Sequence, residues 1–71
     1  MNILLQNKSS LKYVEWGGGW TASVEGARVF DWGLEAMFYC FNHQCADMQI
    51  LGEFADARMN FSVPVTDPRG D

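Results

Sequence analysis

Met59, Phe61, Val63 and Val65 alternate with Asn60, Ser62 and Pro64 in the clearest period-two stretch of the chain. A β-strand sends successive side chains to opposite faces, so this stretch reads as a strand with one apolar face. Pro64 falls on the polar face. Proline has no N–H to donate to a ladder, so the strand belongs at a sheet edge or ends there. An edge strand with a face to bury needs neighbouring strands and a covering layer. The chain has 71 residues from which to build them. That is a single domain, and one so short buries only about 60% of the surface its unfolded chain exposes.

The remaining elements follow from periodicity and breakers. Residues 2–6 read as a strand, with Ile3 and Leu5 on one face and Leu4 on the other. Asn7-Lys8-Ser9-Ser10 is a polar connection, and residues 11–16 form the second strand of a hairpin. Gly17-Gly18-Gly19 breaks that strand, because glycine takes positive φ at little steric cost. Trp20 and Thr21 resume extended chain, residues 23–27 read as one helical turn, and residues 28–30 return as a short strand. Asp31 is placed to cap a helix over residues 32–43. Leu34, Met37, Phe38 and Phe41 recur at helical spacing and define its expected buried stripe. Residues 48–54 form the next strand, where Gly52 interrupts the face shared by Met48, Ile50 and Phe54 and marks a bulge or close packing against the helix. The expected fold is α+β: an antiparallel sheet of four to five strands with one main helix on one face. It occupies residues 1–65, and residues 66–71 form a polar tail expected to be disordered. The second face of the sheet is expected to keep Leu4, Val14, Trp16 or their neighbours, and so to want a partner.

Several short motifs carry a resemblance. They are Ile3-Leu4-Leu5-Gln6, Lys12-Tyr13, Gly19-Trp20-Thr21, Ala27-Arg28-Val29-Phe30, Glu35-Ala36 and Asp47-Met48-Gln49-Ile50. Together they span most of residues 1–65, and the chain resembles small uncharacterised bacterial proteins with a ββ…αββ pattern. The resemblance implies that module and no activity.

Charge narrows the function classes. Five Lys and Arg against nine Asp and Glu give a net charge of -4, and the basic residues do not cluster. Nucleic-acid binding needs a basic footprint, so it is not expected. No apolar run approaches the roughly 20 residues that span a bilayer. No leader is visible, and two cysteines are too few for a disulfide scaffold. The expectation is a cytoplasmic protein with free thiols and no cofactor.

Cys40, His43 and Cys45, followed by Asp47, are the one cluster of metal-type ligands. Zinc takes four N or S ligands, usually as two pairs, and a second pair is lacking here. A buried cysteine, a helix-end histidine and a loop thiol explain the same residues. Cys45 near His43 lacks an orienting group and an oxyanion hole, so no catalytic residue is assigned. The glycine run lacks the Lys-Ser/Thr of a phosphate-binding loop. Ten of the 71 residues are Trp, Tyr or Phe. Of these, Trp16, Trp20, Trp32 and Tyr39 exceed what one sheet and one helix can easily hide. With Gly18 they form the candidate ligand- or partner-binding set. The expected function is a non-enzymatic protein-interaction module, either self-associating or binding another protein. The alternatives are a small-ligand binder using the Gly/Trp loop and a zinc-stabilised domain.

Overall fold

The computed structural model describes residues 1–43 and 45–65. Five strands form one sheet in the order β3-β2-β1-β4-β5. They are β1 (Asn2–Asn7), β2 (Tyr13–Val14), β3 (Trp20–Thr21), β4 (Met48–Glu53) and β5 (Phe61–Pro64), and every pairing is antiparallel. One helix, α1 (Gly33–Asn42), packs on the sheet. The α+β class follows from the sequence as expected. The polar tail lies outside the described residues.

The register sorts the side chains. Leu5 pairs with Ile50 and Ile3 with Gly52, so these positions share the helix-covered face with Met48. Leu5, Met48 and Val14 there meet Ala36 and Cys40 from α1, with Phe30 completing the core. Val14 is therefore a core residue and does not face the opposite side. That opposite face is less apolar than expected. It pairs Leu4 with Leu51 and Gln6 with Gln49. The Gln49 side-chain amide donates to Gln6 at 2.7 Å, and Gln6 donates to the Leu11 carbonyl at 3.0 Å. Gln6 is buried but satisfied, which removes the main cost of hiding an amide.

The segment before the helix wedges into the sheet. The Arg28 N–H donates to the Val14 carbonyl at 2.9 Å, and the Phe30 N–H donates to the Ile3 carbonyl at 2.8 Å. Phe30 thereby lies beside β1 on the edge away from β4, with its ring in the core. Only a short 3-10 turn (Val24–Gly26) precedes this segment.

The helix differs from its sequence reading at both its start and its face. Trp32, not Asp31, holds the N-cap position, and no side chain caps it. The Asp31 N–H instead donates back to the Glu35 carboxylate at 3.2 Å. Ala36 and Cys40 form the buried line, while Leu34 is 58% and Phe38 54% exposed. Met37 and Phe41 are half-buried. The sheet accepts a close-lying helix through its two smallest apolar positions, which turns the larger Leu34 and Phe38 outward.

The end of the sheet is shaped by Pro64. The Val65 N–H donates to the Met48 carbonyl at 2.9 Å, and alternation points Val63 and Phe61 toward β4 as well. Ser62 and Pro64 therefore direct their backbone outward. The missing proline N–H costs the β4–β5 ladder nothing and removes a donor from the free edge.

Candidate functional site

The candidate residues fall into three places. The first is the outer ridge of α1. Trp32 precedes the helix and is 71% exposed, and Leu34 and Phe38 follow it. Residues four apart on a helix lie one above the other, so Leu34 and Phe38 stack along one line. Together with Trp32 and Glu35 they line an open apolar groove of about 410 Å³. The only charge on α1 is Glu35. Met37 and Phe41 lie on the flank between this ridge and the buried Ala36–Cys40 line. Tyr39 lies on the other flank, against Phe30. The Met37 flank is thus on the β4–β5 side, where Met59, Phe61 and Val63 remain exposed.

The second place is the tip of the β2–β3 hairpin. The Gly18 N–H donates to the Glu15 carbonyl at 3.2 Å, closing a turn over residues 15–18. Gly17 and Gly18 have φ of 93° and 92°, which explains two of the three glycines. The turn carries Trp16 outward, and its ring meets the guanidinium of Arg28 at 4.8 Å. Tyr39 approaches the same guanidinium from α1 at 5.3 Å. Trp16 and Tyr39 are thus brought together through Arg28. The sequence reading did not single out Arg28. Its signal was Arg28 lying two residues before Phe30, but the meeting with Trp16 depends on the wedge. Gly18 itself serves the turn.

The third place is a groove of about 280 Å³ lined by Asn7, Ser10, Lys12 and Trp20. The Asn7 amide oxygen is occupied by the N–H groups of Ser9 and Ser10, and its NH2 by the Ala46 carbonyl. Ser10 Oγ accepts from the Lys12 N–H at 3.2 Å. Most of the polar rim thus stabilises the β1–β2 turn. Lys8 pairs with Asp47 across the same end at 3.7 Å, and the Ser9 hydroxyl donates to the Asp47 carboxylate. Trp16, Trp20 and Trp32 therefore do not line one common cleft.

Cys40, His43 and Cys45 sit at the C-terminal end of α1. Cys40 is buried, and the Cys45 N–H donates to the Cys40 carbonyl at 3.0 Å. Burial pushes the Cys40 thiol up to about 11, and the neighbouring Cys45 thiol adds to the effect. Burial also raises Cys45, against a weaker lowering by its bond to Cys40. Both thiols stay protonated at neutral pH, which opposes nucleophilic attack. His43 Nδ1 lies 3.0 Å from the Tyr39 carbonyl, and its ring stacks on Tyr39 at 4.0 Å. Among the described residues no three His, Cys, Asp or Glu side chains are grouped to hold a metal ion. Also among the described residues, no helix is long and apolar enough to cross a membrane.

No known family, curated protein or solved structure matches the chain.

Proposed function

We propose that the protein is a non-enzymatic interaction module that self-associates through the outer ridge of α1. The observation that carries this reading is the exposed line of Trp32, Leu34 and Phe38 on a helix with one charged residue. Large apolar side chains scattered singly on a surface are ordinary, but three lining one groove mark an interaction site.

Charge favours a second copy as the occupant. Glu35 is the one charged residue of α1, so the ridge offers little charge complementarity to a strongly basic or strongly acidic partner. Two copies of a nearly neutral ridge meet with a single like pair, Glu35 with Glu35. Shape points the same way. In an antiparallel pair about a two-fold axis passing between Leu34 and Phe38 on the exposed ridge, Leu34 of one copy meets Phe38 of the other. The ridge at four-residue spacing then packs into its own image.

Area is compatible with this arrangement. A stable interface removes roughly 800 Å² from each partner. That is about a sixth of the 4877 Å² accessible surface, and the exposed residues of β5 lie on the neighbouring flank to extend the ridge. The sheet edges are poorer routes. Among the described residues β3 has two residues, and β5 turns Pro64 outward.

The test is a mixed sample of isotope-labelled and unlabelled chains examined by filtered NMR. Contacts between the Leu34 methyls and the Phe38 ring of different copies are expected. Their absence in a sample that is dimeric by mass would remove this ridge as the interface.

A further inference from the structure

Arg28 is held in an unusual setting. Its guanidinium carbon lies 4.6 Å from the centre of the Phe30 ring, 4.8 Å from Trp16 and 5.3 Å from Tyr39. Three aromatic rings thus surround one guanidinium, and none of them supplies an oxygen acceptor for its N–H donors. Among the described residues those donors have no carboxylate. The ion pairs there are Lys8–Asp47 and Arg58–Asp56. Nε is buried and has no hydrogen-bond partner among the described residues. A buried donor left unpaired costs about 1–3 kcal/mol, and more when charged. Seven of the nine acidic residues lie among the described residues, and none of these seven forms an ion pair with Arg28.

The backbone keeps Arg28 in place, through its N–H bond to the Val14 carbonyl. Trp16 is different. It is 66% exposed at the tip of the hairpin, so its ring can move relative to the guanidinium, as exposed side chains do.

We propose that Arg28 and Trp16 form a binding site for a carboxylate carried on a flat apolar group. The guanidinium fork receives the two carboxylate oxygens through Nε and one Nη, which satisfies the orphaned donor. The exposed Trp16 ring covers the apolar part. A single negative charge suits this site better than a phosphate dianion, because the chain already carries -4. The carboxylate can come from a free aromatic acid or from the C-terminal residue of a peptide. The site is on the Tyr39 flank of α1, away from the Leu34–Phe38 ridge, and does not depend on self-association.

The test follows the Arg28 Nε–Hε resonance by NMR during titration with benzoate, and separately with benzamide, its neutral counterpart. N-acetyl-phenylalanine and its C-terminal amide form the peptide arm. Benzoate or N-acetyl-phenylalanine is expected to move the Nε–Hε signal in a saturable way below about 50 mM. The acid that binds more tightly identifies the source. Arg28→Lys, which keeps the charge and loses the fork, is expected to weaken binding at least about tenfold, read from Trp16 fluorescence. Trp16→Phe keeps Arg28 as the reporter if the lysine variant is unstable. No movement with either acid, or equal movement with the neutral amides, would overturn the proposal.

Discussion

Gly52 of β4 and Phe61 of β5 stand directly opposite each other, and the Phe61 ring fills the space that a Cβ on residue 52 would take. The close approach that the glycine marks is thus made by a neighbouring strand, not by the helix. Gly52→Ala is expected to lower stability by about 1–3 kcal/mol, the range for forcing extra volume into a packed site. Denaturant unfolding measures it. Phe61→Ala in the same chain should relieve most of the loss, giving a double-mutant coupling of about 1 kcal/mol or more. Additive losses would show that the ring does not occupy that space.

Two leucines separate core from surface. Leu5→Ala removes a fully buried side chain from the centre of the sheet and is expected to cost about 2–5 kcal/mol. Leu34→Ala is expected to change the stability of the isolated chain by less than about 0.5 kcal/mol, because that side chain packs on nothing in its own core. Unfolding under dilute conditions measures both.

The contrast between these leucines shows where the sequence was legible. Alternation grouped Ile3 with Leu5 on β1 and Met48 with Ile50 on β4, and put Pro64 at a sheet edge or a strand end, because strand geometry alone sets those relationships; the β1–β4 register then joins the two groups on one face. Helical spacing grouped Leu34, Met37, Phe38 and Phe41 as the buried stripe of α1, yet Leu34 and Phe38 are exposed, because periodicity cannot say which of two apolar lines faces inward. Ala36 and Cys40 won because small side chains let the helix lie close to the sheet. Val14 was misplaced for a related reason, since its face depends on a register set by the β1–β2 turn. Arg28 was missed because its three aromatic neighbours come from the hairpin tip, its own wedge and α1. Only the tertiary fold brings those together.

Leu11 adopts a φ of 61° in the β1–β2 turn while more than half exposed. A left-handed conformation costs an ordinary residue about 1–2 kcal/mol, and asparagine tolerates it better. Leu11→Asn is expected to raise stability by about 0.5–1 kcal/mol, read as a higher denaturant midpoint. An unchanged or lower midpoint would show that Leu11 is not strained.

Cys40 links stability to alkaline pH. Its thiol is held at about 11 against an ordinary value of 9.0. The raised value means that the folded chain keeps a proton that the unfolded chain gives up. The resulting stability is fully present below about pH 9 and is lost as pH rises toward 11. Denaturant midpoints across that window are expected to fall for the native chain and to fall less for Cys40→Ala. Parallel profiles would contradict a buried, protonated thiol.

Sedimentation equilibrium decides whether the Trp32–Leu34–Phe38 ridge joins two copies. The native chain is expected to run as two 8.0 kDa chains at concentrations on the order of 100 µM. The variant carrying Leu34→Glu and Phe38→Glu should retain its fold by circular dichroism and run as a single chain. A native protein that stays at 8.0 kDa throughout, or a doubly charged variant that still dimerises, would rule out self-association through this ridge.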